Sequence, residues 1–218
     1  MSKQSTLDRG AAFKRALLAW YRTAARDLPW RRTRDPYRIL VSEFMLQQTQ
    51  VARVLDYYDP FLRRYPTVEA LAGAPRRAVR EAWEGLGYYR RAANLHRLAK
   101  EVVRSHYGVV PDDPAELLRL PGVGPYTAGA VATFAYEQPV AAVDTNVARV
   151  LRRVFGCRTA KTTRAKAQRL QPKRGKTAWK FNQALMELGA LVCSARAPKC
   201  PQCPVNRLCN WYSKSGNH

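Results

Sequence analysis

The chain has 218 residues and a formal net charge of +22, from 38 Lys and Arg against 16 Asp and Glu, with 46% apolar residues. That length fits one large domain or two small ones, and the apolar share supports a packed core, which excludes a disordered basic tail. No apolar run approaches the ~20 residues that span a bilayer, and the polar stretch 1–10 lacks the apolar centre of a signal peptide. A cytoplasmic, nucleoid-associated protein is therefore expected, if the source is prokaryotic. So large a positive excess calls for a polyanionic partner, nucleic acid first.

In chain order, helical periodicity dominates. Phe13, Leu17, Leu18 and Tyr21 share one face of a first helix, which Asp27-Leu28-Pro29-Trp30 ends. Asp35-Pro36-Tyr37 places a proline at the start of the next element, and Ile39 to Tyr58 reads as one long helical stretch. Thr67 is an N-cap for a short helix through Leu71. Arg77 to Leu86 forms another, ended by Gly85 and Gly87, and Arg91 to Tyr107 follows, closed by Gly108. Asp113-Pro114 begins a helix through Leu120. A tight turn, Pro121 to Gly124, leads into an apolar helix from Tyr126 to Tyr136. Asn146 to Phe155 and Trp179 to Val192 are also helical. Pro139 to Val143 is the best strand signal and it is short. Arg158 to Lys180 carries nine Lys or Arg and no acid, with a weak helical pattern, and reads as a connecting helix or a charged loop. The expected fold is all-α, with roughly ten helices.

Three features carry chemistry. Leu120-Pro121-Gly122-Val123-Gly124-Pro125-Tyr126 sits between two helices. Its glycines permit a backbone closed to other residues and leave amides bare at a helix start, which suits a phosphate; the plain alternative is an ordinary helix connection. Asp144, in Val143-Asp144-Thr145-Asn146, follows an apolar run and is placed to cap the next helix. Cys193, Cys200, Cys203 and Cys209 follow the spacing C-x6-C-x2-C-x5-C, amid Arg196, Lys199 and Arg207 and no acid. With no export signal, four clustered cysteines read as metal ligands rather than disulfides. Spacing alone suits zinc or an iron–sulfur cluster equally. Cys157 stands apart and reads as a small, half-buried thiol.

The order of hairpin, aspartate and cysteines resembles the helix-hairpin-helix DNA glycosylases. More specifically, Leu28-Pro29-Trp30-Arg31, Val41-Ser42-Glu43-Phe44-Met45-Leu46-Gln47-Gln48-Thr49-Gln50, Glu84-Gly85-Leu86-Gly87-Tyr88-Tyr89 and Phe181 to Ala190 resemble the MutY family of adenine DNA glycosylases. The likeness runs from about Phe13 to Cys209. It implies a base excision repair enzyme that flips adenine out of double-stranded DNA, where it is mispaired with 8-oxoguanine or guanine, and hydrolyses its N-glycosidic bond. It implies a 4Fe–4S cluster on the four cysteines. Glu43 is then the acid that protonates the leaving base at N7, its pKa raised by apolar neighbours, and Asp144 stabilises or transiently captures the sugar cation. Tyr126 occupies the place where the related endonuclease III enzymes carry a Schiff-base lysine, which implies a glycosylase without strand-cutting activity. By the same resemblance Gln48 and Tyr88 insert into the duplex. Arg26, Arg31 and Gln183 line the adenine pocket with Trp30 and Leu46 beside it, and Thr49, Gly122, Gly124 and Asn146 belong to the DNA-binding set.

The resemblance also implies architecture. One helical lobe, 39–140, holds the hairpin; the other combines 1–38 with 141–218 and the cluster loop 193–209. DNA lies across the cleft between them, and a monomer is expected. Full-length relatives continue into a Nudix-like domain that reads 8-oxoguanine, whereas this sequence ends at His218, nine residues after Cys209. Two other readings compete: a mismatch thymine or uracil glycosylase, and a catalytically silent, cluster-bearing DNA-binding protein. The paired acids Glu43 and Asp144 argue against the second, since a pure binder has no use for a costly buried acid.

Overall fold

The computed structural model describes residues 3–214, which contain helices and connecting loops and no strand. Twelve α-helices follow in order: α1 (Lys3–Ala24), α2 (Pro36–Leu46), α3 (Val51–Arg64), α4 (Val68–Gly73), α5 (Arg76–Ala82), α6 (Arg90–His106), α7 (Pro114–Leu117), α8 (Pro125–Phe134), α9 (Thr145–Phe155), α10 (Ala160–Leu170), α11 (Gly175–Glu187) and α12 (Asn210–Lys214). Small oxygen-bearing side chains fix many of their starts. Asp35, Thr67, Asp113, Asp144 and Thr159 each accept a backbone N–H of the first turn they precede, satisfying a donor that the helix leaves orphaned. Among the described residues no helix is long and apolar enough to cross a membrane.

Contacts divide the chain into two compact units, Asp27–Tyr136 and the sequence on either side of it. In the first, α2 and α8 pack together, each buried through a continuous run, Ile39 to Met45 and Thr127 to Phe134. Neither run alternates with polar positions, as expected of helices enclosed on all sides. Leu95, Leu98, Ala99 and Val102 form the buried stripe of α6, which lies against α4. Trp83 meets Phe61 edge to face at 5.7 Å. In the second unit, Phe13 and Leu17 of α1 pack with Val147, Val150, Leu151 and Val154 of α9 and with Phe181 and Leu185 of α11. Burying each aliphatic side chain of that α9 stripe contributes about 1.5–3 kcal/mol.

Two sequence expectations change and one open alternative is decided. The stretch Ile39 to Tyr58 is two helices, because the backbone turns at Gln47 and takes a left-handed conformation at Gln48 (φ 57°). Arg158 to Lys180 contains a true helix, α10, started by a capping box in which Thr159 and Thr162 exchange hydrogen bonds. Pro139 to Val143 is not a strand. Side-chain amides pair its backbone instead: Gln168 accepts from Ala141 N (3.0 Å) and donates to Pro139 O (2.8 Å). Asn182, fully buried, accepts from Ala142 N (3.0 Å) and donates to Val140 O (3.2 Å). The β-like composition leaves backbone groups to be paired, but among the described residues no second strand lies beside them.

Asn182→Ala leaves the buried amide of Ala142 without its acceptor, and is expected to cost about 1–3 kcal/mol in urea unfolding. Gln168→Ala, whose bonds lie at the surface, should cost under about 1 kcal/mol. Equal costs would show that the 139–142 segment is not held in this way.

Candidate active site

In the unit Asp27–Tyr136, α2 carries Glu43 toward the interior. It is 5% exposed and lies within the buried run that contains Val41, Phe44 and Met45. Leu46, the last residue of α2, is half-buried. Beyond it, Gln48 is exposed and Thr49 half-buried. Tyr88 is 62% exposed and, like Gln48, left-handed (φ 46°). Such a backbone costs a non-glycine residue of order 1–3 kcal/mol, and strain of that size persists only where the surroundings enforce it. Trp30, by contrast, is 7% exposed and meets Tyr58 edge to face at 5.4 Å, so it serves the core, with half-buried Arg31 next to it.

The hairpin glycines differ. Gly122 has φ 79°, and a Cβ there would come within 2.7 Å of the Asn94 Cβ, so both conformation and packing require glycine. Gly124 has an ordinary φ of −101° and open space where its Cβ would stand. The expectation that both glycines take a conformation closed to other residues holds only for Gly122. Neither conformation nor internal packing requires glycine at Gly124. Tyr126, the second residue of α8, is half-buried.

In the other unit, Asp144 ends the amide-paired segment and caps α9, accepting from Val147 N at 2.7 Å. Its other oxygen accepts from Asn146 Nδ2 at 2.9 Å. Asn146 in turn accepts from Arg149 Nη2 (2.7 Å), and Arg149 Nε donates to the backbone carbonyl of Cys193 (2.7 Å). Arg149 also holds Gly189 O at 2.8 Å, in the π-helical turn Leu188–Val192. A Cβ on Gly189 would stand 2.6 Å from that of Asn146, so the turn and the start of α9 touch closely. A continuous hydrogen-bonded path thus joins Asp144 to the first cysteine. Gln183 and Glu187, one turn apart on α11, are buried, and Arg26 Nε donates to both Glu187 oxygens (3.1 and 2.9 Å). Sequence patterns assign no role to Glu187 or Arg149. The available signals are a carboxylate within an apolar helix at i+4 from Gln183, and an arginine at i+3 from Asn146.

Cys193, Cys200, Cys203 and Cys209 line one pocket, walled by Val150, Val154, Leu188, Val192 and Val205. Burial pushes the thiol of Cys203 up to about 11, and that of Cys200 up as well. Bound metal cations would draw protons off such thiols and stabilise the thiolates. Among the described residues no three Cys, His, Asp or Glu side chains converge as ligands of a single ion. The cysteines instead ring a space. Arg153 Nη1 lies 3.4 Å from Cys193 Sγ and donates to Ser194 O at 2.7 Å. Arg196, Lys199 and Arg207 are exposed around the loop.

Residues 41–173, which include Glu43, the hairpin and Asp144, match the HhH-GPD superfamily base excision DNA repair protein family. The chain is 51% identical over 202 residues to an adenine DNA glycosylase of Mycobacterium tuberculosis, an alignment covering 89% of this chain and 66% of that one. It therefore spans about two thirds of the length of that relative. Its structure is similar to that of a thermostable thymine-DNA glycosylase, with TM-score 0.91, 35% identity and coverage of 96% of this chain and 99% of the other. It is also similar to an endonuclease III trapped as a covalent intermediate on DNA, with TM-score 0.83, 26% identity and full coverage of both chains.

The cap makes one role of Asp144 separable from any chemistry. Asp144→Ala should lose about 1 kcal/mol of stability, while Asp144→Asn, which keeps an acceptor for the Val147 amide, should stay within about 0.5 kcal/mol of wild type. Thermal and urea unfolding of the two variants measure this directly. A large loss in Asp144→Asn would mean that the charge, not the acceptor, holds α9.

Proposed function

Because the chain belongs to the HhH-GPD superfamily of base excision DNA repair proteins, we propose that it is a monofunctional adenine DNA glycosylase. It removes adenine mispaired with 8-oxoguanine or guanine in duplex DNA and leaves an abasic site. The observation that carries this reading is the 51% identity to an adenine DNA glycosylase along 89% of the chain.

The chemistry follows from the two acids. Burial of Glu43 favours its neutral form, which delivers a proton to adenine N7 as the bond to C1′ breaks. The electron pair of that bond leaves with the base, and the positive charge on the sugar is met by the carboxylate of Asp144, fixed by its bonds to Val147 N and Asn146. Water then adds at C1′ and gives up a proton. Tyr126 provides no amine for a Schiff base, so the strand stays intact. The exposed side chains Gln48 and Tyr88 enter the stack and hold it open, with Thr49 beside them. Gly122 and Gly124 take a backbone phosphate, and Gln183, Arg26 and Arg31 are the contacts proposed for the adenine, with Trp30 in the core next to Arg31 and Leu46 at the end of α2. An amide such as Gln183 both donates to and accepts from an adenine edge. Glu187 holds Arg26 in place for that task. The four thiols lining one pocket could hold zinc or an iron–sulfur centre, and the family likeness favours the cluster. When bound, a 4Fe–4S cluster staples the loop 193–209, and no redox step enters the hydrolysis. The protein acts as a monomer, in the compartment that holds the chromosome.

A second reading keeps support. The likeness to the thermostable thymine-DNA glycosylase covers nearly all of both chains. Single-turnover base release from duplexes holding A:8-oxoguanine, A:G, T:G and U:G separates the two. Adenine release is expected, reduced about 10²–10⁴-fold by Glu43→Gln and by Asp144→Asn. Release of thymine or uracil alone would transfer the chain to the mismatch glycosylases. Tight binding without any release would make it a silent binder.

The purified protein should contain about four iron and four labile sulfide per chain, with the brown absorbance of thiolate–iron bands. Cys203→Ser should lower both. Stoichiometric zinc without sulfide would reassign the cavity.

A further inference from the structure

Arg91 is 6% exposed at the second position of α6 and, among the described residues, forms no ion pair. A buried guanidinium without a carboxylate needs another source of negative potential. It finds five backbone carbonyls. Nη1 donates to Phe44 O (3.1 Å), Met45 O (2.6 Å) and Gln47 O, where α2 ends. Nη2 donates to Leu86 O (3.0 Å) and Gly87 O (3.1 Å), in the loop before α6. The guanidinium also lies over the rings of Trp83 (5.6 Å) and Tyr88 (5.5 Å).

The identity of those carbonyls matters. Gln47 immediately precedes Gln48, and Gly87 immediately precedes Tyr88. Gln48 and Tyr88 are two of the four non-glycine residues with positive φ among those described. One guanidinium therefore grips the peptide on the N-terminal side of both left-handed residues, which lie far apart in sequence. Its planar fork supplies several donors in fixed directions, which lysine cannot reproduce.

We propose that Arg91 is a positioning residue that clamps the two duplex-inserting loops, 47–49 and 86–89, into one preset unit. It touches neither base nor sugar. It holds Gln48 and Tyr88 in conformations they would otherwise relax, so that both side chains stand ready before DNA arrives. The functional half of this inference rests on the glycosylase reading above; the structural half does not.

The test uses the full chain with Arg91→Lys and Arg91→Met. Hydrogen exchange should accelerate about tenfold or more at amides in both loops together, while α8 keeps its wild-type protection. Single-turnover excision from an A:G duplex should fall about 10²-fold, whereas excision of adenine from an unpaired bulge, which needs no stack to be opened, should fall far less. Arg91→Lys, with its charge retained, should not rescue either readout. Should Arg91→Met fail to fold, a cycle pairing Arg91→Lys with Gln48→Gly decides: glycine relieves the left-handed strain, so unfolding should respond less to Arg91→Lys in that background. Unchanged exchange in both loops would overturn the clamp, and so would equal acceleration throughout α8, or equal loss on paired and unpaired adenine. If wild-type protein releases no base from any duplex, the glycosylase reading fails, and the exchange data still decide whether the clamp exists.

Discussion

The bond from the amide of Val147 to Asp144 ties the chemistry to the fold. A helix of eleven residues needs an acceptor at its start, and here the acceptor is the carboxylate proposed to meet the sugar cation. One oxygen is committed to the backbone and the other to Asn146, so the side chain has little freedom left. The segment leading into it is held by Asn182 and Gln168, and the helix leaving it is anchored through Arg149 to the carbonyl of Cys193. Placement of one carboxylate thus draws on α9, α10, α11 and the cysteine loop. Preorganisation of this kind is how a charge is made effective toward a developing cation without reorganising at the moment of reaction.

A chain with 38 Lys and Arg and 16 Asp and Glu cannot pair every cation with an acid. Several buried or half-buried arginines use the backbone instead. Arg9 donates to the carbonyls of Val154 and Leu208, Arg149 to those of Gly189 and Cys193, Arg153 to those of Ser194 and Ala195, and Arg91 to five. Many of these carbonyls lie at helix ends or in turns, where the regular ladder supplies no amide to donate to them. Those at helix ends also carry the partial negative charge of a helix C-terminus. The arrangement leaves the scarce acids for particular tasks: Asp35, Asp113 and Asp144 as caps, Glu187 for Arg26, and Glu43 in the interior.

Much of the fold is legible in the residues themselves, for identifiable reasons. Helix starts announce themselves through Asp and Thr followed by helix formers, so Thr67, Asp113 and Asp144 are recognisable as caps or boundaries from residue type and position alone. The all-α class follows from sustained 3.6-residue periodicity. The break after Leu46 is not legible. Gln47, Gln48 and Thr49 are compatible with a helix, and what holds the turn is an arginine more than forty residues away. The strand expected at 139–143 fails for a similar reason, since an extended segment becomes a strand only when another backbone lies alongside, and side-chain amides take that place. Arg158 to Lys180 reads as weakly helical because charge obscures its apolar stripe; Thr163, Ala167 and Leu170 are that stripe. The four cysteines are plain from spacing, but the spacing suits zinc and an iron–sulfur cluster equally.

Strain has a physical rationale if the protein opens duplexes as proposed. A side chain entering a base stack must displace paired bases, a step that costs a few kcal/mol before any chemistry begins. If the inserting residue also had to leave a relaxed backbone well, that cost would be added at the same moment. On the proposed reading Gln48 and Tyr88 are the inserting residues; both are already left-handed, so that part is met during folding, by packing around α2, α6 and Arg91. The same logic explains why glycine does not occupy either position, although it would relieve the strain. Glycine takes a positive φ freely but brings no side chain to insert, and it would let the loop wander among conformers. A bulky residue forced into a glycine-like conformation by its neighbours supplies both a wedge and a fixed direction for it.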